Sequence, residues 1–326
     1  MGGDGLRAAI VGCGRIAGLY ADPNGPVETH AQAYWAQPGV RLVAVCDPNT
    51  ANRERFAATW RAAGYAELHE LLERESPDIV SICSPPEWHA DHVVAAAQHD
   101  RAPRAMFVEK PCCQGESELD RIEGALAALP ARPCVLVNHT RRFDPAHRQL
   151  AAAIRAGAYG RLLGGRADYY GGWMQNGPHL IDLLRMFFGN VTVTGLAPGV
   201  SGRGDDDCPV VHVDVGGARL VASGADERYY QLFELDLRFE RARVLLEDFG
   251  AVIRVQPAAV NGLGERILDL AREERTAGLQ EPLRHAVRAL LDDLAGTTPL
   301  SQTGATLADA RETMRQVWNA RAAWRG

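Results

Sequence analysis

Residues 106–111, Met-Phe-Val-Glu-Lys-Pro, place a lysine where it could take part in chemistry. The three apolar residues predict the end of a buried strand, and the proline that follows is unfavourable for a helix. Ligands of open α/β sheets bind just beyond the carboxyl ends of the strands. The amine of Lys110 is therefore expected to lie beside a bound ligand. Pro111 also favours an extended conformation at Lys110, which restricts where the amine points. The competing interpretation is a solvated loop.

A second motif, residues 12–17, has the spacing Gly-x-Gly-x-x-Ala. It follows a short apolar run at 6–11 and precedes an apolar-periodic segment, which is the context of a dinucleotide-binding fingerprint. The first glycine permits the tight turn, the second lets the backbone approach a pyrophosphate, and the small third residue lets helix and strand pack closely. Amides at the helix start then face the phosphate charge. The motif therefore predicts a dinucleotide site.

Asp47 ends the second predicted strand, 40–46, where an acid hydrogen-bonds the adenosine ribose of NAD. Its spacing from the glycines exceeds the usual ~20 residues, and residues 21–29 explain the excess as a loop that interrupts the first helix. A 2′-phosphate ~4 Å from this carboxylate would cost several kcal/mol. Arg53 and Arg55 are expected to face solvent, so NAD is favoured over NADP. The alternative role for Asp47 is a helix N-cap or turn acid.

Short apolar segments alternate with helical ones throughout the first 145 residues. Strands of four to six apolar residues separated by helices predict βαβ units, a parallel sheet and a doubly wound Rossmann fold. The strand at 79–83 ends in Ser84 and two prolines, which keep the backbone rigid as a wall for a flat ring. The strand at 134–138 ends in Asn138. His89 lies near a helix start, where a structural role is the more common one.

After Pro145 the pattern changes, so residues 1–145 are predicted to form the dinucleotide-binding domain and 146–326 a second domain. A strand is expected at 161–170. Two adjacent glycines after an alternating strand at 211–215 predict a hairpin with a tight turn. Residues 233–239 alternate strictly between apolar and polar, which predicts a sheet with one face in water or against a partner.

The second half also contains a strongly apolar helical segment at 179–188, preceded by a polar stretch. His179, Asp182 and Arg185 lie three residues apart and so along one side of this helix. Two further helices, at about 282–295 and 306–323, close the chain. Packing is their expected role, and they could pack back on the first domain.

Composition excludes several classes of protein. The 326 residues suggest two domains, and 46% hydrophobic and 23% charged residues supply material for a core. The formal charge of −6 and the lack of a basic run disfavour a nucleic-acid partner. Apolar runs are interrupted well before about 18 residues, so no membrane span is predicted. The N-terminus lacks the apolar core of a signal peptide.

The seven cysteines are odd in number, and five lie within or beside predicted strands. The adjacent pair Cys112 and Cys113 lacks the spacing of a zinc site, and no metal site is predicted. Buried or free thiols in a reducing cytoplasm are therefore expected.

Six motifs in this order and spacing resemble the Gfo/Idh/MocA family of oxidoreductases, and the resemblance covers nearly all of the chain. The motifs are Gly-Cys-Gly-Arg-Ile-Ala at 12–17, Cys-Asp-Pro at 46–48, Ser-Pro-Pro-Glu-Trp-His at 84–89, Glu-Lys-Pro at 109–111, Arg-Arg-Phe-Asp-Pro at 141–145 and Gly-Pro-His-Leu-Ile-Asp at 177–182. The resemblance implies an N-terminal Rossmann domain and a C-terminal α+β domain with a mostly antiparallel open sheet. That sheet often forms the subunit interface, which implies a homodimer or homotetramer.

The resemblance also implies NAD-dependent oxidation or reduction of a hydroxyl or keto carbon on a sugar, sugar nucleotide or cyclitol. Lys110 corresponds to the family's active-site lysine and His179 to its catalytic histidine. Hydride transfer from a secondary alcohol leaves a proton to be removed, and both side chains can exchange one. A partly desolvated lysine beside a cationic nicotinamide should have a lowered pKa. The structural alternatives are that Lys110 only pairs with Glu109 and that His179 only caps its helix.

The expected ligand contacts fall into two sets. Those to the cofactor are Gly12, Gly14, Arg15, Ile16, Asp47, Ser84, Pro85, His89, Glu109, Lys110 and Asn138. Those to the substrate are Lys110, Arg141, Tyr170, Trp173, Gln175 and His179.

Gln175 departs from the family pattern, because many members carry an aspartate four residues before the histidine. Glutamine can orient a substrate hydroxyl but cannot take a proton or favour an imidazolium by its charge. Proton transfer should then depend more on Lys110 than on His179. Two other functions stay open: a catalytically silent NAD-binding sensor of the same fold, and transfer or cleavage of a sugar unit through transient oxidation.

Overall fold

The chain folds into two units, and each unit is built from two separate segments of the sequence. The computed structural model describes residues 5–203, 206–269, 273–279, 281–303 and 305–325. The first unit comprises Met1–Phe143 and Gln280–Arg311, and the second comprises Asp144–Leu279 and Glu312–Gly326. The closing segment is therefore divided, with its first part in the first unit and its end in the second.

The first unit is built on a parallel sheet of six strands. Their order is β3-β2-β1-β4-β5-β6, and every neighbouring pair is parallel. The strands are β1 Leu6–Val11, β2 Val40–Cys46, β3 Ala63–Tyr65, β4 Ile79–Ile82, β5 Ala105–Val108 and β6 Cys134–Val137. The residues of β4 and β5 are buried throughout because helices cover both faces of a parallel sheet. The doubly wound fold predicted from the sequence is confirmed.

Ten helices occur in the described part of the chain. They are α1 His30–Trp35, α2 Thr50–Trp60, α3 Leu68–Glu75, α4 His89–Gln98, α5 Glu116–Ala127, α6 Pro145–Arg155, α7 Trp173–Phe188, α8 Pro282–Leu294, α9 Leu300–Thr303 and α10 Leu307–Arg325. The apolar face of α8 (Leu283, Ala286, Val287, Leu290) joins the core of the first unit. None of the described helices combines the length and the apolar character that a membrane crossing requires.

The prediction of a helix directly after the glycine motif is wrong, because only one turn forms there. The amide of Gly18 donates to the Gly14 carbonyl at 3.1 Å, and a φ of +126° at Gly18 then turns the chain away. Residues 21–29 form the predicted loop. The regular helix α1 starts at His30, whose amide donates to the Ile16 carbonyl at 3.1 Å. The backbone of α1 is thereby anchored to the glycine turn across the loop.

The second unit is built on a mixed sheet in which only β10 and β7 are parallel. Its order is β14-β13-β12-β11-β7-β10-β9-β8, with β15 also paired to β13. The strands are β7 Leu162–Tyr170, β8 Thr192–Arg203, β9 Asp206–Val215, β10 Ala218–Ala225, β11 Glu234–Phe239, β12 Ala242–Glu247, β13 Val252–Val260, β14 Arg266–Leu268 and β15 Glu273–Thr276. The mostly antiparallel open sheet of the expected α+β domain is confirmed.

The predicted hairpin and the predicted alternation are both present in this sheet. Strands β9 and β10 pair directly through Val215 and Ala218, with positive φ angles at both turn glycines. In β11 the apolar side chains Leu235, Leu237 and Phe239 are buried together with residues of α6 and α7. The opposite face of the sheet carries ion pairs such as Arg243 to Asp236 at 2.8 Å.

Helix α7 begins earlier than predicted, at Trp173 rather than His179. Pro178 lies inside it, where proline removes a donor and normally disfavours helix. The helix is stabilised from outside its own sequence, because the carboxylate of Asp206 accepts the amides of Met174 at 3.0 Å and Gln175 at 2.9 Å. A cap contributed by a distant strand leaves no local sequence signal.

Candidate functional site

The carboxyl ends of five parallel strands meet at one edge of the first unit's sheet. In strand order these ends carry Asp47, Gly12, Ser84, Lys110 and Asn138. The order of connection reverses between β1 and β4, and such a switch point is where open α/β sheets bind ligands. The structure therefore brings the predicted cofactor residues of five separate strands to one edge.

The glycine turn is shaped for close approach by a ligand. Gly12 has a φ of +91°, and a Cβ there would lie 2.5 Å from the Ser84 nitrogen of the neighbouring strand end. A Cβ at Gly14 would meet no protein atom within 4 Å, so the space beside it is open. In the described part of the chain, the amides of Gly14, Arg15 and Ile16 donate no hydrogen bond. Three available amides beside an open space fit a pyrophosphate.

Asp47 holds the glycine turn in place. One carboxylate oxygen accepts the amide of Cys13 at 2.7 Å, and the other accepts the amide of Asn49 at 2.8 Å. The expectation that Arg53 faces solvent is wrong, because its guanidinium donates to the Asp47 carbonyl at 2.7 Å. Arg55 is exposed and lies over the ring of Tyr20, 4.7 Å from its centroid.

Glu109 is buried and bound by two donors. One of its oxygens accepts from His30 Nε2 at 2.8 Å and from Asn138 Nδ2 at 2.6 Å. Burial alone would raise the pKa of this carboxyl group. The hydrogen bonds from His30 and Asn138 and the nearby charge of Lys110 outweigh burial, so the pKa of Glu109 lies below its ordinary value. Glu109 is therefore an anion at neutral pH.

The side chain of Asn138 has one hydrogen-bond acceptor that is not used within the described residues. Its amide nitrogen is engaged by Glu109, and its Oδ1 atom is buried without a hydrogen-bond partner among the described residues. An unmet buried acceptor costs about 1–3 kcal/mol. A ligand carrying an N–H or O–H donor would remove that cost, which fits the carboxamide of a nicotinamide ring.

The ring of His89 holds the loop after β4 in place through contacts to backbone carbonyls. Its ring lies 2.7 Å from the Ser84 carbonyl and 2.7 Å from the Pro111 carbonyl, so it connects the loops that follow β4 and β5. Ser84 Oγ also contacts His92 Nδ1 at 2.9 Å. Burial, together with the charge of His89, lowers the pKa of His92. Pro85 is exposed at the same edge.

Lys110 is half-buried, and its peptide bond to Pro111 is cis. It is also the single lysine of the chain: the 35 basic residues comprise 34 arginines and Lys110. Arginine stays protonated in proteins, whereas a lysine can shift its pKa and exchange a proton. Among the lysine and arginine side chains, Lys110 is therefore the one that can give up its proton. This count is a sequence signal that motif analysis missed.

In the second unit, Gln175 and His179 lie on the same face of α7, because residues four apart are neighbours on a helix. Gln175 is exposed and His179 is half-buried. His179 is the seventh residue of this helix, so it does not cap it. The capping carboxylate is Asp206, which also pairs with Arg321 at 3.0 Å.

The other expected substrate residues differ in exposure. Tyr170 is partly buried at the end of β7, with its ring edge-on to Phe249 at 5.8 Å. Arg141 is partly buried in a short 3-10 segment. Trp173 is 1% exposed, and its indole N–H donates to the Val317 carbonyl at 3.1 Å. The ring of Trp173 therefore packs in the core instead of presenting a surface.

A glycine turn with available amides, an acid after β2 and a lysine after β5 define a dinucleotide-binding α/β domain, here followed by an α+β domain. The first domain of the chain is similar to that of the Gfo/Idh/MocA oxidoreductase family. Residues 6–139 match the family described as "Oxidoreductase family, NAD-binding Rossmann fold".

Curated relatives include two inositol dehydrogenases. Inositol 2-dehydrogenase of Rubrobacter xylanophilus is 28% identical over 178 residues, which is 54% of this chain and 46% of that protein. The scyllo-inositol 2-dehydrogenase (NAD(+)) of Bacillus subtilis is 29% identical over 173 residues, 52% of this chain and 45% of that protein. The alignments thus span about half the length of these relatives.

Solved structures extend the similarity of fold to the whole chain. KijD10, a 3-ketoreductase from Actinomadura kijaniata crystallised with NADP and TDP-benzene, has a TM-score of 0.76 to this structure. The match covers 98% of this chain and 97% of that one at 16% identity. At this identity the likeness establishes the fold.

Proposed function

We propose that this protein is an NAD-dependent dehydrogenase or ketoreductase acting on a hydroxyl or keto carbon of a sugar, sugar nucleotide or cyclitol. The observation that carries the proposal is the single lysine of the chain, placed after β5 at the sheet edge that bears the glycine turn. The inositol dehydrogenases and the 3-ketoreductase described above support the substrate class.

The dinucleotide is proposed to bind along the carboxyl edge of the first unit's sheet. The amides of Gly14, Arg15 and Ile16 take the pyrophosphate and Asp47 takes the adenosine ribose. Ser84 and Pro85 flank the nicotinamide, and Asn138 Oδ1 accepts a hydrogen bond from it. Gly12, His89 and Glu109 shape the edge. NAD is favoured because a 2′-phosphate beside the Asp47 carboxylate would be repelled.

When bound, the nicotinamide supplies the hydride acceptor or donor. The chain itself must manage the proton of the hydroxyl that is oxidised. Lys110 is proposed to exchange that proton, because a lysine amine can both give up and take up a proton. His179 is the second proposed catalytic residue, and Gln175, one helical turn before it, would orient the substrate hydroxyls.

Arg141 and Tyr170 are proposed further substrate contacts. A guanidinium and a phenol both suit polyhydroxylated ligands, since each is a planar group that provides hydrogen-bond donors. Trp173 contributes indirectly, because its buried ring packs against Gly177 in the helix that carries His179.

Two further proposals concern assembly and compartment. The charged face of the second unit's sheet, opposite the face covered by α6 and α7, is proposed to join copies of the chain into a homodimer or homotetramer. A reducing cytoplasm is the proposed location, since all seven cysteines are free and six are buried.

The test is reduction of NAD by the purified protein across a panel of cyclitols, sugars and sugar nucleotides. On an accepted substrate, Lys110→Met should lower turnover by about 10²–10⁴ while NADH binding is unchanged. Lys110→Arg keeps the charge but cannot exchange the proton, so it should be impaired to a similar degree. Unchanged turnover in Lys110→Met would refute the assignment of Lys110.

A further inference from the structure

A series of buried, hydrogen-bonded hydroxyl and imidazole groups leads to the carboxylate of Glu109, the residue before Lys110. Tyr34 Oη contacts Ser81 Oγ at 2.7 Å, and Ser81 Oγ contacts His30 Nδ1 at 2.9 Å. His30 Nε2 contacts Glu109 at 2.8 Å. Tyr34, Ser81 and His30 are each 0% exposed. These contacts connect helix α1 and strand β4 to the end of β5.

The chemistry of Glu109 sets the direction of the hydrogen bond that it receives from His30. An ionised carboxylate only accepts, so His30 must carry its proton on Nε2. In the neutral ring, Nδ1 is left to accept from the Ser81 hydroxyl, which in turn accepts from Tyr34. This assignment gives both ring nitrogens of His30 and the hydroxyls of Ser81 and Tyr34 a hydrogen-bond partner, as a buried network requires.

The arrangement looks like the serine–histidine–acid constellation of a hydrolase, but it cannot serve as one. Ser81 and His30 are completely enclosed, so no substrate reaches the hydroxyl. This series of hydrogen-bonded groups can therefore affect the site only through Glu109.

Few charged groups face the Glu109 carboxylate. His30 approaches from α1, Cys83 from the end of β4 and Lys110 from its own strand end, while Asn138 on β6 contributes a neutral amide. Burial raises the pKa of the Cys83 thiol, and the charge of Glu109 raises it further, so this group stays uncharged. Lys110 is thus the cation beside a fixed anion.

We propose that His30 is a positioning residue of the active site: it holds Glu109 as an inward-facing anion beside Lys110, and through Glu109 it fixes the amide of Asn138. With Nδ2 of Asn138 committed to Glu109, Oδ1 is the atom left for a ligand donor. His30 also stands next to the glycine turn, since its backbone amide donates to Ile16. The inference rests on the proposed catalytic role of Lys110.

Because Lys110 is the only lysine, amine reagents report on it without interference from other side chains. The experiment is trace acetylation of the protein without cofactor at neutral pH, with the modified Lys110 peptide quantified by mass spectrometry. The variants are His30→Leu, Glu109→Gln and His30→Gln, which retains an N–H donor. His99→Leu is the matched control, because His99 pairs with Glu73 at a different place in the same unit.

Loss of the anion should leave Lys110 less protonated and more reactive. We expect acetylation about threefold faster or more in His30→Leu and Glu109→Gln, and a wild-type rate in His30→Gln and His99→Leu. On an accepted substrate, kcat of His30→Leu should fall on the order of 10²-fold, as for a misplaced catalytic group, and the KM for NAD should rise because Asn138 loses its fixed orientation.

Wild-type acetylation rates in both His30→Leu and Glu109→Gln would overturn the inference, as would equal impairment of His30→Gln and His30→Leu. If His30→Leu does not fold, His30→Asn, whose side chain is too short to reach Glu109, takes its place. If no substrate is oxidised by the wild-type protein, the proposed function fails, and the acetylation rates still test the pairing of His30 with Glu109.

Discussion

The carboxylate of Asp206 accepts the backbone amide of Gln175 at 2.9 Å, although 31 residues separate the two in sequence. The same carboxylate accepts the amide of Met174, so strand β9 supplies the N-terminal cap of helix α7. The helix that carries Gln175 and His179 therefore depends on a residue from another element for its first turn.

Replacing this cap should destabilise the protein measurably. Asp206→Ala leaves two amides and Arg321 without their acceptor, and loss of such a cap costs about 0.5–2 kcal/mol. Urea denaturation should show that decrease. Asp206→Ser, which can still cap, should lose less, and Asp207→Asn at the exposed neighbouring position should match the wild type. Equal stability of Asp206→Ala and the wild type would contradict the assignment.

The two glycines of the turn should respond differently to alanine. Gly12→Ala forces a Cβ against the Ser84 backbone at a positive φ, so we expect a loss of stability of about 1–3 kcal/mol and of NADH binding. Gly14→Ala should fold as the wild type, because no protein atom lies near, yet bind NADH more weakly. Thermal unfolding and fluorescence titration separate the two effects. Normal NADH binding in Gly14→Ala would show that the pyrophosphate lies elsewhere.

Asp47→Asn should relax the preference for NAD. The amide oxygen can still accept from Cys13 or Asn49, while the charge that repels a 2′-phosphate is removed. The ratio of Kd for NADPH to Kd for NADH should fall by about tenfold or more, since two charges near 4 Å interact by several kcal/mol at a protein surface. Titration of both reduced dinucleotides provides the measurement. An unchanged ratio would place the adenosine ribose away from Asp47.

The ionised carboxylate of Asp144 should stabilise the fold at neutral pH, and this stabilisation should be lost at acidic pH. Burial raises its pKa, but hydrogen bonds from the His147 ring and amide at 2.8 and 2.9 Å outweigh it, so the pKa lies below the ordinary 3.8. A depressed pKa stabilises the fold above the unfolded-state value, and this contribution disappears as the pH falls through the folded-state value.

Asp144→Asn should therefore lower the free energy of unfolding near neutral pH by about 1–3 kcal/mol, and the deficit should shrink as the pH falls below 3.8. Chemical denaturation at several pH values measures it. Asp100→Asn, at an exposed position, should show no such convergence. A deficit that is constant with pH would mean that Asp144 acts without its charge.

Much of the first unit was predictable because its signals are local. Buried strands such as Ile79–Ile82 read as short apolar runs, and the glycine motif follows β1 directly. Strand β3 was missed, since Ala63–Tyr65 has no apolar run and pairs only at the sheet edge. The ligand contacts stay predictions, supported by where these residues lie and by their chemistry.

Non-local contacts account for the rest. The start of α7 depends on Asp206, and nothing between Trp173 and Pro178 announces a helix. Arg53 turns back to a carbonyl that its helical position does not reveal. The role inferred for His30 depends on strand pairing that brings Ser81 and Glu109 beside it, and local periodicity does not reveal such a contact.

The loop at 21–29 affects how related chains should be aligned. Because α1 docks onto the glycine turn through its first backbone amides, the loop can vary in length while His30 keeps its place beside Glu109. Distance along the sequence from the glycines is then a poor guide to equivalence. Relatives with a shorter connection should carry the equivalent of His30 closer to their glycine motif, and contacts, not spacing, identify it.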